Sequence, residues 1–141
     1  MRRELTDISE EEILHFLGYG ENNPDEQTRS VLKEMKQLVL RYSEPRVVYR
    51  VFGLHDAQPV DSGVQFIGSD IQRLLKESHA CIFMAATLGS RIDKEMKKLQ
   101  VQDMMNAVLF DSCASAAIEA VCDNLQKELQ KSYPYLTDRY S

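Results

Sequence analysis

Ala80-Cys81-Ile82-Phe83-Met84-Ala85-Ala86-Thr87, closed by Leu88-Gly89, is the stretch on which the fold turns. It carries no charge and shows no polar alternation. A continuous apolar run of strand length predicts a strand buried on both faces, and therefore a central one. Upstream, Arg46-Val47-Val48-Tyr49-Arg50-Val51-Phe52 is β-branched and aromatic and reads as another strand. Gln58-Pro59-Val60-Asp61-Ser62-Gly63 has the composition of a loop. Val64-Gln65-Phe66-Ile67 reads as a short second strand ending at Gly68.

Helices flank these strands. Ser9 with Glu12 forms a capping box, and Ile13, Leu14 and Leu17 make an apolar stripe that Gly18 can close. Asn23 is placed to cap a second helix with Pro24 at its first position. Val31, Leu32, Met35, Leu38 and Val39 recur through it at helical spacing, and Pro45 ends it. Ser69 with Gln72 predicts a short helix carrying Ile71, Leu74 and Leu75. Ser90 to Leu99 is charged, with a thin seam of Ile92, Met96 and Leu99. From about Asp103 a long helix is expected to run to Lys131, until Tyr133-Pro134-Tyr135 stops it. Its residues between Ala107 and Ala120 are small, which lets a helix lie close to its neighbour. Together these features predict an α+β fold: a twisted, mostly antiparallel sheet with flanking helices, one long C-terminal helix and an N-terminal helical arm. The arm is expected over 1–44 and the core over 45–141.

Composition narrows the function. The 141 residues carry 17 basic and 22 acidic side chains, a net charge of −5. That balance argues against a nucleic-acid groove, which needs clustered Lys and Arg. No apolar run is expected to reach the roughly 20 residues of a membrane span. The N-terminus has basic residues without a following apolar stretch, unlike a signal peptide. Cys81, Cys113 and Cys122 are odd in number and lack a CxxC pair, so neither a disulfide framework nor a zinc knuckle is suggested, and a cytoplasmic location is the expectation. Cys113 reads as a buried structural thiol. His15, His55 and His79 are scattered, and no Walker, GxSxG or strand-linked GxGxxG pattern occurs.

Three features retain chemical interest. Thr87-Leu88-Gly89 ends the most apolar strand and leads into a helix, a place where crevices open in α/β folds. Asp111, Glu119 and Asp123 lie on the long helix, and Glu119 and Asp123, four apart, share a face. A solvated pair is the ordinary reading of such carboxylates, but they also suit a ligand ammonium group. Arg139 follows Tyr133-Pro134-Tyr135-Leu136-Thr137-Asp138, two residues before the end at Ser141.

Taken together, four segments resemble the activation domain of cobalamin-dependent methionine synthase and its small stand-alone relatives. Pro45-Arg46-Val47-Val48-Tyr49-Arg50 resembles the family's first core strand. Ala85-Ala86-Thr87-Leu88-Gly89 resembles its central strand and the turn after it. Phe110 through Asp123 resembles its long helix, and Arg139-Tyr140-Ser141 resembles the opening of its arginine-to-glycine-tyrosine motif. The likeness covers roughly residues 45 to 141 and breaks off inside that motif, as a truncated member would.

The resemblance implies a shallow groove for S-adenosylmethionine, used to remethylate cobalamin held by a partner. That partner would be a methionine synthase core or another corrinoid protein, with electrons from a flavodoxin-like donor. It implies positioning rather than covalent chemistry, so no catalytic residue and no metal ligand is expected. Arg139 matches the motif arginine and suits a ligand carboxylate. Asp123, and Glu119 beside it, match acidic positions suited to the sulfonium or ammonium end, and Tyr140 borders the motif. Two other readings stand beside this one. A protein-interaction or dimerisation module, possible as a homodimer, would expose Met104, Met105, Ala114, Ala117 and Ile118. A small metal-dependent enzyme would use Asp111, Glu119 and His79.

Overall fold

A computed structural model describes residues 1–19, 23–136 and 139. The fold is α+β. In chain order come α1 (Glu10–Phe16), α2 (Glu26–Tyr42), β1 (Arg46–His55), β2 (Gln58–Pro59), α3 (Ser69–Leu75), β3 (Ala80–Thr87), α4 (Ser90–Gln102) and α5 (Met104–Ser132). The strands form one antiparallel sheet in the order β2-β1-β3. The chain divides into two compact units: Met1–Val47 with Ala86–Glu128, and Val48–Ala85 with Leu129–Ser141.

The first unit holds most of the buried apolar side chains. Helix α1 begins as its capping box requires, with the Glu12 amide donating to Ser9 Oγ at 3.3 Å. It ends in a Schellman motif: the Tyr19 amide donates to Leu14 O and the Gly18 amide to His15 O, both at 3.0 Å. Gly18, at φ +80°, occupies the left-handed position that this motif reserves for a residue without Cβ. Helix α2 starts two residues later than Asn23 suggests. Asp25 is the cap, its carboxylate accepting from the Thr28 amide at 2.7 Å, and Pro24 precedes the helix. An ionised carboxylate is a stronger acceptor than the Asn amide, and it also meets the positive end of the helix.

Leu32, Met35 and Val39 of α2 are buried, as are Phe110, Cys113, Ala117, Val121 and Leu125 of α5. The small side chains at 112–117 have the expected effect. Cys113 Sγ lies 3.9 Å from the backbone oxygen of Leu32, so α5 approaches the main chain of α2 itself. Asp103 serves two helices: its amide donates to Leu99 O at 2.8 Å to close α4, and its carboxylate accepts from the Asn106 amide at 3.2 Å to open α5. Helix α5 is long and apolar enough to cross a membrane by length and composition alone, contrary to the expectation from the sequence. Its apolar side chains from Ala107 to Leu129 form a stripe that is buried within the protein, as in a core helix.

The second unit departs further from expectation. The apolar run Ala80–Thr87 does form a strand, but β3 lies at the sheet's edge and β1 is central. None of the β3 residues falls in the buried class. Its apolar continuity therefore does not report cover on both faces. The second strand is also displaced. It forms at Gln58–Pro59, within the expected loop, and pairs Leu54 with Pro59 and His55 with Gln58. The two-residue link, Asp56-Ala57, has φ of +50° and +61°, the geometry of a type I′ turn. Val64–Ile67 is not a strand; instead the Gln58 side chain mimics one. Its Nε2 donates to Phe66 O at 3.0 Å and its Oε1 accepts from the Phe66 amide at 2.7 Å. That clamp brings Phe66 to Phe83, ring centres 5.5 Å apart, and Phe83 also meets Phe52 at 5.0 Å. Helix α3 is capped by Gly68 at φ +122°, with Ser69 as its first residue.

Candidate functional site

The groove of chemical interest lies within the first unit, where Ala86-Thr87-Leu88-Gly89 turns into α4. The turn is built from its own sequence. The Gly89 amide donates to Thr87 Oγ1 at 3.1 Å, and Leu88 O accepts from the Glu44 amide at 2.7 Å. Leu88 is buried, which anchors the turn. Gly89 is required twice over. Its φ is +94°, and a Cβ there would lie 3.3 Å from Glu44 Cβ.

Between this turn, the first turns of α4 and the middle of α5 is an open groove of about 300 Å³. That volume is at the lower end for small-molecule sites. Ile92, Met96 and Ile118 make its floor apolar, and Ala114 and Ser115 leave it width. Its charge comes from two carboxylates, Asp93 of α4 and Asp111 of α5, and no Lys or Arg is among the lining residues described. Asp93 is in the first turn of α4, where a negative charge is favoured by the helix dipole. The groove thus sets two carboxylates beside an apolar floor.

The strand-end turn and Asp111 were legible in the sequence as places of interest. Asp93 was missed, because the charged stretch Ser90–Leu99 reads as a solvated face. Its position beside the seam residue Ile92 and three before Met96 is the signal that could have found it. Glu119 is half-buried and Asp123 exposed, both on α5, and neither lines the groove. Arg139 is half-buried and belongs to the second unit. Tyr140 lies outside the described residues.

Burial pushes the Cys113 thiol up to about 12, partly offset by Lys36, so it is neutral and unreactive at ordinary pH. Of the residues named for an interaction face, Met104 and Met105 are exposed, Ala114 and Ile118 half-buried, and Ala117 fully buried. Among the described residues no three His, Cys, Asp or Glu side chains converge as metal ligands would. No protein-family profile matches the chain, and no curated protein does.

Proposed function

We propose that this chain is an activation module that binds S-adenosylmethionine and presents its methyl group to cobalamin held by a partner protein. The observation that carries this reading is a coincidence of place. The groove is lined by Ala86–Gly89 and by Asp111, Ala114, Ser115 and Ile118. These residues fall within two of the segments whose sequence resembles the activation domain of cobalamin-dependent methionine synthase. Its charge supports the same reading. Carboxylates on two different helices, with no competing cation in the lining, suit a sulfonium or ammonium group. Catalysis in such a module consists of holding one reactant in line with another. Cobalamin would reside on the corrinoid partner, the reducing electron would come from a flavodoxin-like donor, and the location would be cytoplasmic.

Calorimetry with S-adenosylmethionine and S-adenosylhomocysteine tests the proposal. Saturable heat with the sulfonium, and affinity weaker by about tenfold with the uncharged thioether or in Asp111→Asn, is the expected outcome. Absence of heat at millimolar S-adenosylmethionine, with the fold intact by circular dichroism, overturns it.

A further inference from the structure

A second surface is marked by exposed apolar side chains at the corner where α4 passes into α5. Val101 is 87% exposed, Met104 61%, Met105 64% and Val108 48%. These four fall within eight consecutive residues, and side chains so apolar are ordinarily exposed singly rather than together. Two are methionines, whose unbranched, polarisable side chains adapt to a partner's shape. The approach to this corner is basic. At 100° per residue, Lys94, Lys97, Lys98 and Val101 share one face of α4, bordered by Arg91 on one side and Asp93 on the other, and turned away from Ile92 and Met96 in the groove. All three lysines are exposed, and none takes part in an ion pair among the described residues. The patch stands out because the chain as a whole is acidic, at −5.

We infer that the α4–α5 corner is a docking surface for an acidic amphipathic segment of a partner protein. Apolar residues of that segment would cover Val101, Met104, Met105 and Val108. Its carboxylates would meet Lys94, Lys97 and Lys98. Charge decides among occupants. A second copy docking by this same face across a two-fold axis brings like charges together. An anionic membrane is ordinarily engaged by uninterrupted clusters of about four to eight basic residues, whereas the three lysines and Arg91 here are interspersed with exposed Asp93 and Asp103.

The inference does not rest on the groove or its ligand, and its test is separate. The full chain, labelled with nitrogen-15, is titrated with a synthetic helical peptide carrying leucines on one face and glutamates elsewhere. A peptide with lysine in place of glutamate is the control. Amide shifts confined to residues 94–108, weakened about tenfold by high salt, are expected. Lys94→Glu with Lys97→Glu and Lys98→Glu should abolish them, as should Met105→Asp; both sets change exposed positions, and circular dichroism confirms the fold. Four results overturn the inference: equal binding of the lysine peptide, no perturbation at millimolar glutamate peptide, binding of phosphatidylserine vesicles in preference to the peptide, or self-association that Met105→Asp disperses.

Discussion

At the scale of single residues, two positions show how far local chemistry governs this chain. Ala57 occupies the second place of a type I′ turn at φ +61°, a conformation that costs an L-residue with a Cβ roughly 1 kcal/mol. Ala57→Gly should therefore raise stability by about that amount in urea unfolding; an unchanged midpoint would show that the turn is held by its surroundings. Asp-Ala is a weak hairpin signal beside Asp-Gly, which is why the β1–β2 turn was not legible while the strand before it was. Cys113 makes a different point. Its Sγ lies against the Leu32 carbonyl and its thiol is pushed up to about 12. Iodoacetamide at pH 8 should leave Cys113 unmodified in the folded protein while the less buried Cys81 reacts, and mass spectrometry reads the order. Labelling of Cys113 at the rate of Cys81 would show that α5 does not pack as described. The small residues around Cys113 made its burial legible.

At the scale of elements, caps explain both successes and misses. Ser9 and the start of α5 near Asp103 were readable because each cap stands just before a clear apolar period. Asn23 and Asp25 both suit a cap, and only the fold shows which one the Thr28 amide meets. That hydrogen bond holds the Asp25 carboxyl below its usual range, and the Lys36 ammonium at 2.8 Å does the same for Asp7. A carboxyl depressed in the folded state stabilises it above the unfolded value, 3.8, and that contribution is lost as pH falls through the folded value. Stability should thus decline below about pH 4, and Asp25→Asn should flatten that acid limb while leaving the slope near neutrality unchanged. A limb unaltered in both Asp25→Asn and Asp7→Asn would assign the acid sensitivity elsewhere. Strand order, by contrast, was not legible. Apolar continuity in Ala80–Thr87 identified a strand but could not say how many neighbours it has.

At the scale of the whole molecule, burial is unevenly distributed. In the second unit only Pro59 and Leu129, among the described residues, fall in the buried class, whereas the first holds nearly all of the apolar core. Amide exchange should follow that difference. Protection should be strong in α2 and in α5 up to Leu125, and weaker by orders of magnitude through β1 beyond Val48 and through α3. Uniform protection across both units would contradict it. The groove belongs to the well-packed unit, so its two carboxylates are carried by rigid helices rather than by loops. Its general position was legible from the strand-end turn, but its charge was not, because Asp93 gains meaning only once α4 and α5 face each other. The outer rim of β3 carries a consequence of its own. Eight residues without a charge or a proline lack the gatekeepers that keep such rims from templating fibrils. In concentrated or partly unfolded samples this ribbon is where cross-β growth would begin, and a single lysine at exposed Ala85 would be the economical safeguard.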